Sequence, residues 1–246
     1  MTDTIERYFD AISGRISELR SAERENIRKA ASACAKSILN GGVVHIHDTG
    51  HMLNTELVGR AGGLVGFTPL SFGLNVANPN SFRDRTGEPK PDVEAEVIAL
   101  ALKRSHVRAG DVLIVGSVSG KSFNPVELAI RARALGVTVV AVTALAYSSK
   151  LEPQHPSGKR LFEAADIVID NHAPYGDAMV EVPGLDSNVC PASGICAAVA
   201  LWAVIAGIVE ELVAAGKTPT VYPSVNRPDG RDLVSKAQKE YAERGY

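Results

Sequence analysis

The chain has 246 residues, 45% hydrophobic and 22% charged, with 26 Lys and Arg against 28 Asp and Glu for a net charge of -2. These values exclude a disordered tail or a collagen-like repeat and leave no global field to draw in nucleic acid; at about 100–200 residues per domain they allow one large domain or two small ones. Glycine is plentiful at 22 residues and aromatics are only 5%, so ring surface for base stacking is scarce while backbone can approach a small anion closely.

The chain opens with two helical stripes. Ile5, Tyr8, Phe9, Ile12, Ile16 and Leu19 recur at three- and four-residue steps, and Ile27, Ala30, Ala31, Cys34, Ile38 and Leu39 do so again before Asn40-Gly41-Gly42 stops the pattern. The first 20 residues are charged and amphipathic and lack the apolar centre of a secretory signal. Three widely spaced cysteines, Cys34, Cys190 and Cys196, make no disulfide framework. The expected compartment is therefore a reducing cytoplasm.

From residue 43 the period changes. Val43-Val44-His45-Ile46-His47 predicts a first strand, followed by the polar loop Asp48-Thr49-Gly50 and a helix over 52–60. Ala61-Gly62-Gly63 breaks that helix, and residues 64–68 predict a second strand. A long polar segment, 69–91, has the length of a lid or binding loop. A helix over 92–105 leads to a third strand, 111–116, then to the small-residue loop Ser117-Val118-Ser119-Gly120-Lys121-Ser122. Pro125 suits the first turn of the next helix, which runs to Leu135 and stops at Gly136. A fourth strand (137–142), a loop (146–157), a short helix (158–164), a fifth strand (167–170) and a polar loop (171–190) follow. An apolar helix covers 193–215, and a tail from 217 carries a short amphipathic end. Residues 189–209 hold no charge and are long enough to cross a bilayer. However, Pro191, Gly194, Gly207 and many small residues weaken their transfer energy, and Glu210 and Glu211 follow at once. A helix buried on all sides of a soluble core, with no membrane contact, is the expectation.

Alternating helices and apolar strands predict a parallel sheet covered on both faces, with ligands beyond the carboxyl ends of the strands. The serine loop lies there, between a buried strand and a helix start, where unpaired amides and the helix dipole favour an anion. It carries neither the P-loop nor the dinucleotide glycine pattern, so no nucleotide cofactor is implied. Plain N-capping by the serines is the competing reading. Lys121 can add charge to the loop.

S-x-S-G-x-[ST] after a buried strand resembles the signature of the SIS (sugar isomerase) domain, and the likeness spans residues 42–63, 110–143 and 157–177. It is nearest to small single-domain, phosphoheptose-isomerase-like members. The resemblance implies a three-layer αβα sandwich with a five-stranded parallel sheet in order 2-1-3-4-5, one SIS domain over 1–246 with a helical segment 1–41 and a tail 217–246, and a homodimer or homotetramer. It also implies a phosphosugar ligand held by Ser117, Ser119, Gly120, Lys121 and Ser122.

Glu56-Leu57-Val58-Gly59-Arg60 is similar to the helix that carries the catalytic Glu of phosphoheptose isomerases. Such a carboxylate shuttles a proton between adjacent carbons through an enediol; a solvated pair with Arg60 is the structural alternative. Asp48, Thr49, Gly50, His51 and Ser193 are the candidate sugar contacts, and His155 is the candidate for ring opening. The chain departs from that family in having Met52 where a His precedes the Glu by four residues, and in lacking Gln and His on its last apolar helix. Two other functions stay open: a sensor that binds sugar phosphate without chemistry, and a metal-dependent hydrolase built on His45, His47 and His51. No resident metal, nucleic acid or membrane partner is expected.

Overall fold

The computed structural model describes residues 3–50, 53–77, 82 and 93–246. Two helices begin it, α1 (Thr4–Ala22) and α2 (Arg24–Leu39), joined at Glu23. The Asp3 carboxylate caps α1 by accepting from the Ile5 amide at 3.3 Å. Then come β1 (Val44–Asp48), the single turn α3 (Asn54–Leu57), β2 (Phe67–Pro69), α4 (Glu94–Arg104), β3 (Val112–Gly116), α5 (Phe123–Ala134), β4 (Thr138–Thr143), α6 (Leu145–Ser148), α7 (Leu161–Ala164) and β5 (Ile167–Asp170). A short ribbon, β6 (Ala178–Val180) with β7 (Val189–Pro191), precedes α8 (Ser193–Ala214) and α9 (Gly230–Arg244).

The five long-range strands pair in parallel in the order β2-β1-β3-β4-β5. Strand alternation divides the apolar residues between two cores. Val44, Ile46, Val112, Ile114, Val140, Val142 and Ile169 face α1, α2 and α8. Leu113, Val115, Val139 and Ala141 face α4, α5 and α7. The result is the three-layer sandwich and strand order that the serine-loop signature implied.

Several elements differ from the expectation. The helix after β1 is one turn, and β2 begins at Phe67 because Leu64 instead bridges to Val221. The segment 171–190 holds the antiparallel ribbon, and the tail holds the 15-residue α9. His51, Met52 and most of the segment 69–91 lie outside the described residues. α8 is not buried on all sides: only 44% of its apolar window is buried. One face packs on α2, while Ala203 and Ala206 face a groove shared with Ile16, Ile27 and Ala31.

Candidate functional site

The loop leaving β3 is pinned by its carbonyls. The Thr143 hydroxyl and the Ala144 amide both donate to Val118 O, at 3.0 and 3.1 Å. Leu161 N donates to Gly120 O at 2.8 Å, and Gln154 N to Lys121 O at 2.9 Å. With these carbonyls occupied, the amides of Ser119, Gly120, Lys121 and Ser122 find no acceptor among the described residues. Gly120 sits at φ +57, and a Cβ there would lie 2.9 Å from Ser148 Oγ and 3.1 Å from Thr143 Oγ1, so both conformation and space require glycine. α5 then begins with Ser122 at its N-cap and no acidic residue in its first turn. The Ser122 hydroxyl makes no capping bond, and the hydroxyls of Ser117 and Ser119 bond to no described residue either. Three hydroxyls and four amides thus stand ready at the start of a 12-residue helix, which is the chemistry of an oxyanion site. Lys121 makes no ion pair among the described residues.

Around this loop, buried polar atoms are left unpaired. Asn54 Oδ1, Asn124 Oδ1, Ser148 Oγ and Asn171 Nδ2 have no hydrogen-bond partner among the described residues. Each belongs to the segment leaving the carboxyl end of a different strand: β1, β3, β4 and β5. Ser148 and Asn171 are fully buried. Two further such atoms, Arg7 Nε on α1 and His172 Nε2 beyond β5, likewise lack a hydrogen-bond partner among the described residues. An orphaned buried polar atom is costly and uncommon in a folded chain, so their concentration beyond the carboxyl ends of the strands marks a region suited to meet something polar.

The loop after β1 is arranged differently. Asp48 accepts from Gly50 N at 3.2 Å and from Leu53 N at 2.7 Å. Thr49 donates its amide and hydroxyl to Gly116 O, both at 3.2 Å. These bonds bring α3 onto the end of β3, where Leu53 Cδ1 would lie 2.6 Å from a Cβ on Gly116; only a bare backbone lets α3 approach so closely. Glu56 on α3 is partly exposed and pairs with Arg60 at 2.5 Å.

Residues 7–144 match the SIS domain family. This chain belongs to that family. A UPF0309 protein of Shouchella clausii is 32% identical over 238 residues, covering 96% of this chain and 95% of its own. One from Listeria innocua is 32% identical over 242 residues, covering 98% and 96%. Among solved structures, a phosphoheptose isomerase from Francisella tularensis superposes with a TM-score of 0.51 at 19% identity, covering 85% of this chain and 98% of that one; at that identity the likeness is one of fold.

Within this SIS fold the histidines of β1 do share one strand face, turned toward α4 and α5. Each places a ring nitrogen inside the protein: His45 Nε2 lies 3.1 Å from Asp111 Oδ2, and His47 Nδ1 donates to Leu70 O at 2.9 Å with its ring stacked on Phe72. Burial depresses the pKa of both, outweighing Asp111 beside His45 and the Leu70 carbonyl on His47. No group of three or more His, Cys, Asp or Glu suited to a metal occurs among the described residues. Ser193 opens α8, but its hydroxyl donates to Asp177 Oδ2 at 2.7 Å and is buried. Burial pushes the Cys34 and Cys196 thiols up to about 12 and about 11, so neither is an activated nucleophile.

His155 is drawn to α5, where it meets Glu127 at 2.9 Å and Ser157 at 2.8 Å. Sequence reasoning missed Glu127 and Asp177. Glu127 had a signal in its i,i+4 spacing to Arg131, with which it pairs at 2.6 Å. Asp177, whose carboxylate accepts both the Ser193 amide and hydroxyl, had none.

Proposed function

We propose that this SIS chain binds a phosphorylated sugar or sugar derivative and interconverts its aldose and ketose forms through an enediol. The observation that carries the reading is the loop 117–122, where three serine hydroxyls and four consecutive amides have no partner among the described residues. In this reading a phosphate fills that set, with Lys121 adding charge and the α5 dipole behind it. Glu56, on the turn α3 that follows β1, is the residue assigned to move the proton between adjacent sugar carbons. Asp48, Thr49 and Gly50 shape the wall beside the sugar, with His51 as a further contact, and His155 serves ring opening; Ser193, whose hydroxyl is buried on Asp177, would reach the sugar only by giving up that bond. The whole chain works as one domain without a nucleotide cofactor. Its three free thiols suit a cytoplasmic setting. In this reading the chain forms a homodimer or homotetramer, and the groove of about 590 Å³ between α1, α2 and α8 is the face offered to a second copy; light scattering should give the mass of a dimer or tetramer.

The test is a panel of aldose phosphates assayed for ketose. Wild type is expected to convert at least one member. Glu56→Gln should lower kcat by about 10²–10⁴-fold while phosphate-ester affinity holds. A folded protein that converts no member sinks the isomerase reading. One observation favours a second reading, binding without turnover: the Glu56 carboxylate is already engaged by Arg60. Tight phosphosugar binding with no ketose formed decides for that sensor.

A further inference from the structure

His155 stands between a carboxylate and a hydroxyl. Its Nε2 lies 2.9 Å from Glu127 Oε2, and its Nδ1 lies 2.8 Å from Ser157 Oγ. The Ser157 amide also donates to Nδ1, at 3.1 Å. An amide has only a proton to offer, so Nδ1 holds a lone pair and the ring proton sits on Nε2, donated to Glu127. Phe123 stacks on the imidazole at 4.9 Å, and Arg131 Nε holds the other Glu127 oxygen at 2.6 Å. Burial opposes ionisation of Glu127, but bonds from His155 and Arg131 outweigh it and keep the carboxyl below its usual range. The side chains of His155 and Glu127 are 8% and 12% exposed, whereas Ser157 is open to solvent. Of the three groups, the hydroxyl is the one a substrate can reach. A hydroxyl, a base in hydrogen-bond reach and a third group orienting that base is the arrangement of an activated hydroxyl.

The placement of Ser157 is equally specific. The bridge that carries it has both feet on the serine loop: Gln154 N on Lys121 O and Leu161 N on Gly120 O. A sugar whose phosphate sat in that loop would have this bridge as a neighbour.

We infer that Ser157 opens the sugar ring, its hydroxyl relaying a proton from the anomeric hydroxyl of a cyclic sugar phosphate to His155. The inference rests on the phosphosugar reading and adds a step to it. The anomeric O–H proton passes to Ser157 Oγ as the Oγ–H proton passes to His155 Nδ1. The electron pair released on the anomeric oxygen forms the carbonyl. The bond from C1 to the ring oxygen breaks, its pair stays on that oxygen, and water protonates it. The hydroxide so formed takes the proton back from His155. Glu127 gains no proton; it holds Nε2–H and balances the transient imidazolium. His155 thus acts through Ser157 and need not touch the sugar, and Glu127 is a positioning residue.

The competing account is a plain turn, in which Ser157 Oγ merely accepts from Lys159 N at 3.3 Å. Ring opening is read directly as exchange between the α and β anomers of a hexose 6-phosphate or pentose 5-phosphate in NMR exchange spectra, with no need for isomerisation. Ser157→Ala should slow enzyme-catalysed exchange by about a hundredfold, with unchanged affinity for the sugar phosphate and an unchanged melting temperature. Ser157→Thr, which keeps the hydroxyl, should restore it. Glu127→Gln should lower exchange too, and should reduce the steepness of its rise with pH less than it reduces the rate itself, whereas for wild type an aldotetrose 4-phosphate, whose only ring-closing hydroxyl is esterified, should be converted with no ring-opening step. Wild-type exchange in Ser157→Ala overturns the relay even if the isomerase reading stands. Exchange without ketose formation supports the relay and removes the isomerase. No exchange by wild type overturns the relay regardless of isomerisation.

Discussion

The two ends of the parallel sheet differ in how completely they pair their polar atoms. At the amino end Asp111 is wholly buried and accepts from Val43 N at 2.9 Å, Arg108 N at 2.9 Å and His45 Nε2 at 3.1 Å. Beside it the Ser37 hydroxyl donates to Gly110 O at 2.7 Å. At the carboxyl end Asp48 and Asp170 each accept two backbone amides as well, but Asn54, Asn124, Ser148 and Asn171 each carry a buried atom with no partner among the described residues, and the serine loop keeps its donors free among them. A fold that satisfies one end so fully has the means to satisfy the other. The unpaired end is the one where ligands sit in open α/β sheets, so the asymmetry separates polarity used for stability from polarity held for a ligand.

Substitutions at each end should break this contrast in opposite directions. The largest effect is expected at the amino end. Asp111→Ala strands two amides and a histidine in the interior and should cost about 3 kcal/mol or more of unfolding free energy, read from urea denaturation. The folded fraction should still bind a phosphate ester as wild type does; a parallel loss of affinity would erase the distinction. Ser119→Ala should do the reverse. It removes no bond among the described residues, so stability should stay within about 0.5 kcal/mol. Losing a hydrogen bond to a charged phosphate costs about 1.5 kcal/mol, or roughly tenfold in affinity by calorimetry. Destabilisation without loss of affinity would return the serines to ordinary capping.

How much of this was legible in the sequence follows from range. The serine loop was readable because strand, small-residue loop and helix start are consecutive, and the chemistry of a helix start is local. Period two correctly put His45 and His47 on one face. Their partners, Asp111 and Leu70, are 66 and 23 residues away and leave no local trace. The same limit hid Glu127 from His155, 28 residues apart. For α8 the composition was apolar on every side, and composition cannot say which face the other helices will cover. The three-residue strands of the ribbon are too short to show a period. Asp48 was readable as a polar residue of the loop after the first strand, but its backbone bonds were not. In the fold its carboxylate accepts Gly50 N and Leu53 N, which no spacing rule announces.

The smallest expected effect sharpens the comparison through pH. His45 and His47 are buried, and burial depresses both of their pKa values in the folded state. In the unfolded chain a histidine titrates at about 6.5. Between that value and the depressed folded one, the unfolded chain binds more protons than the native protein, so stability must rise with pH. The contribution is complete above about pH 6.5 and is lost as pH falls toward the folded values. Carboxylates such as Glu127 and Glu163, also depressed, act in the same direction, but only as pH falls below about 4.3. A comparison of pH 7.5 with pH 5.5 therefore isolates the histidines. The urea midpoint should fall between these values, and His45→Gln should flatten the fall, since a neutral amide in that place has no proton to gain. A midpoint that holds or rises at pH 5.5 in wild type but falls in His45→Gln would mean that Asp111 stabilises a charged His45, and that the amino end of the sheet hides an ion pair rather than a neutral hydrogen bond.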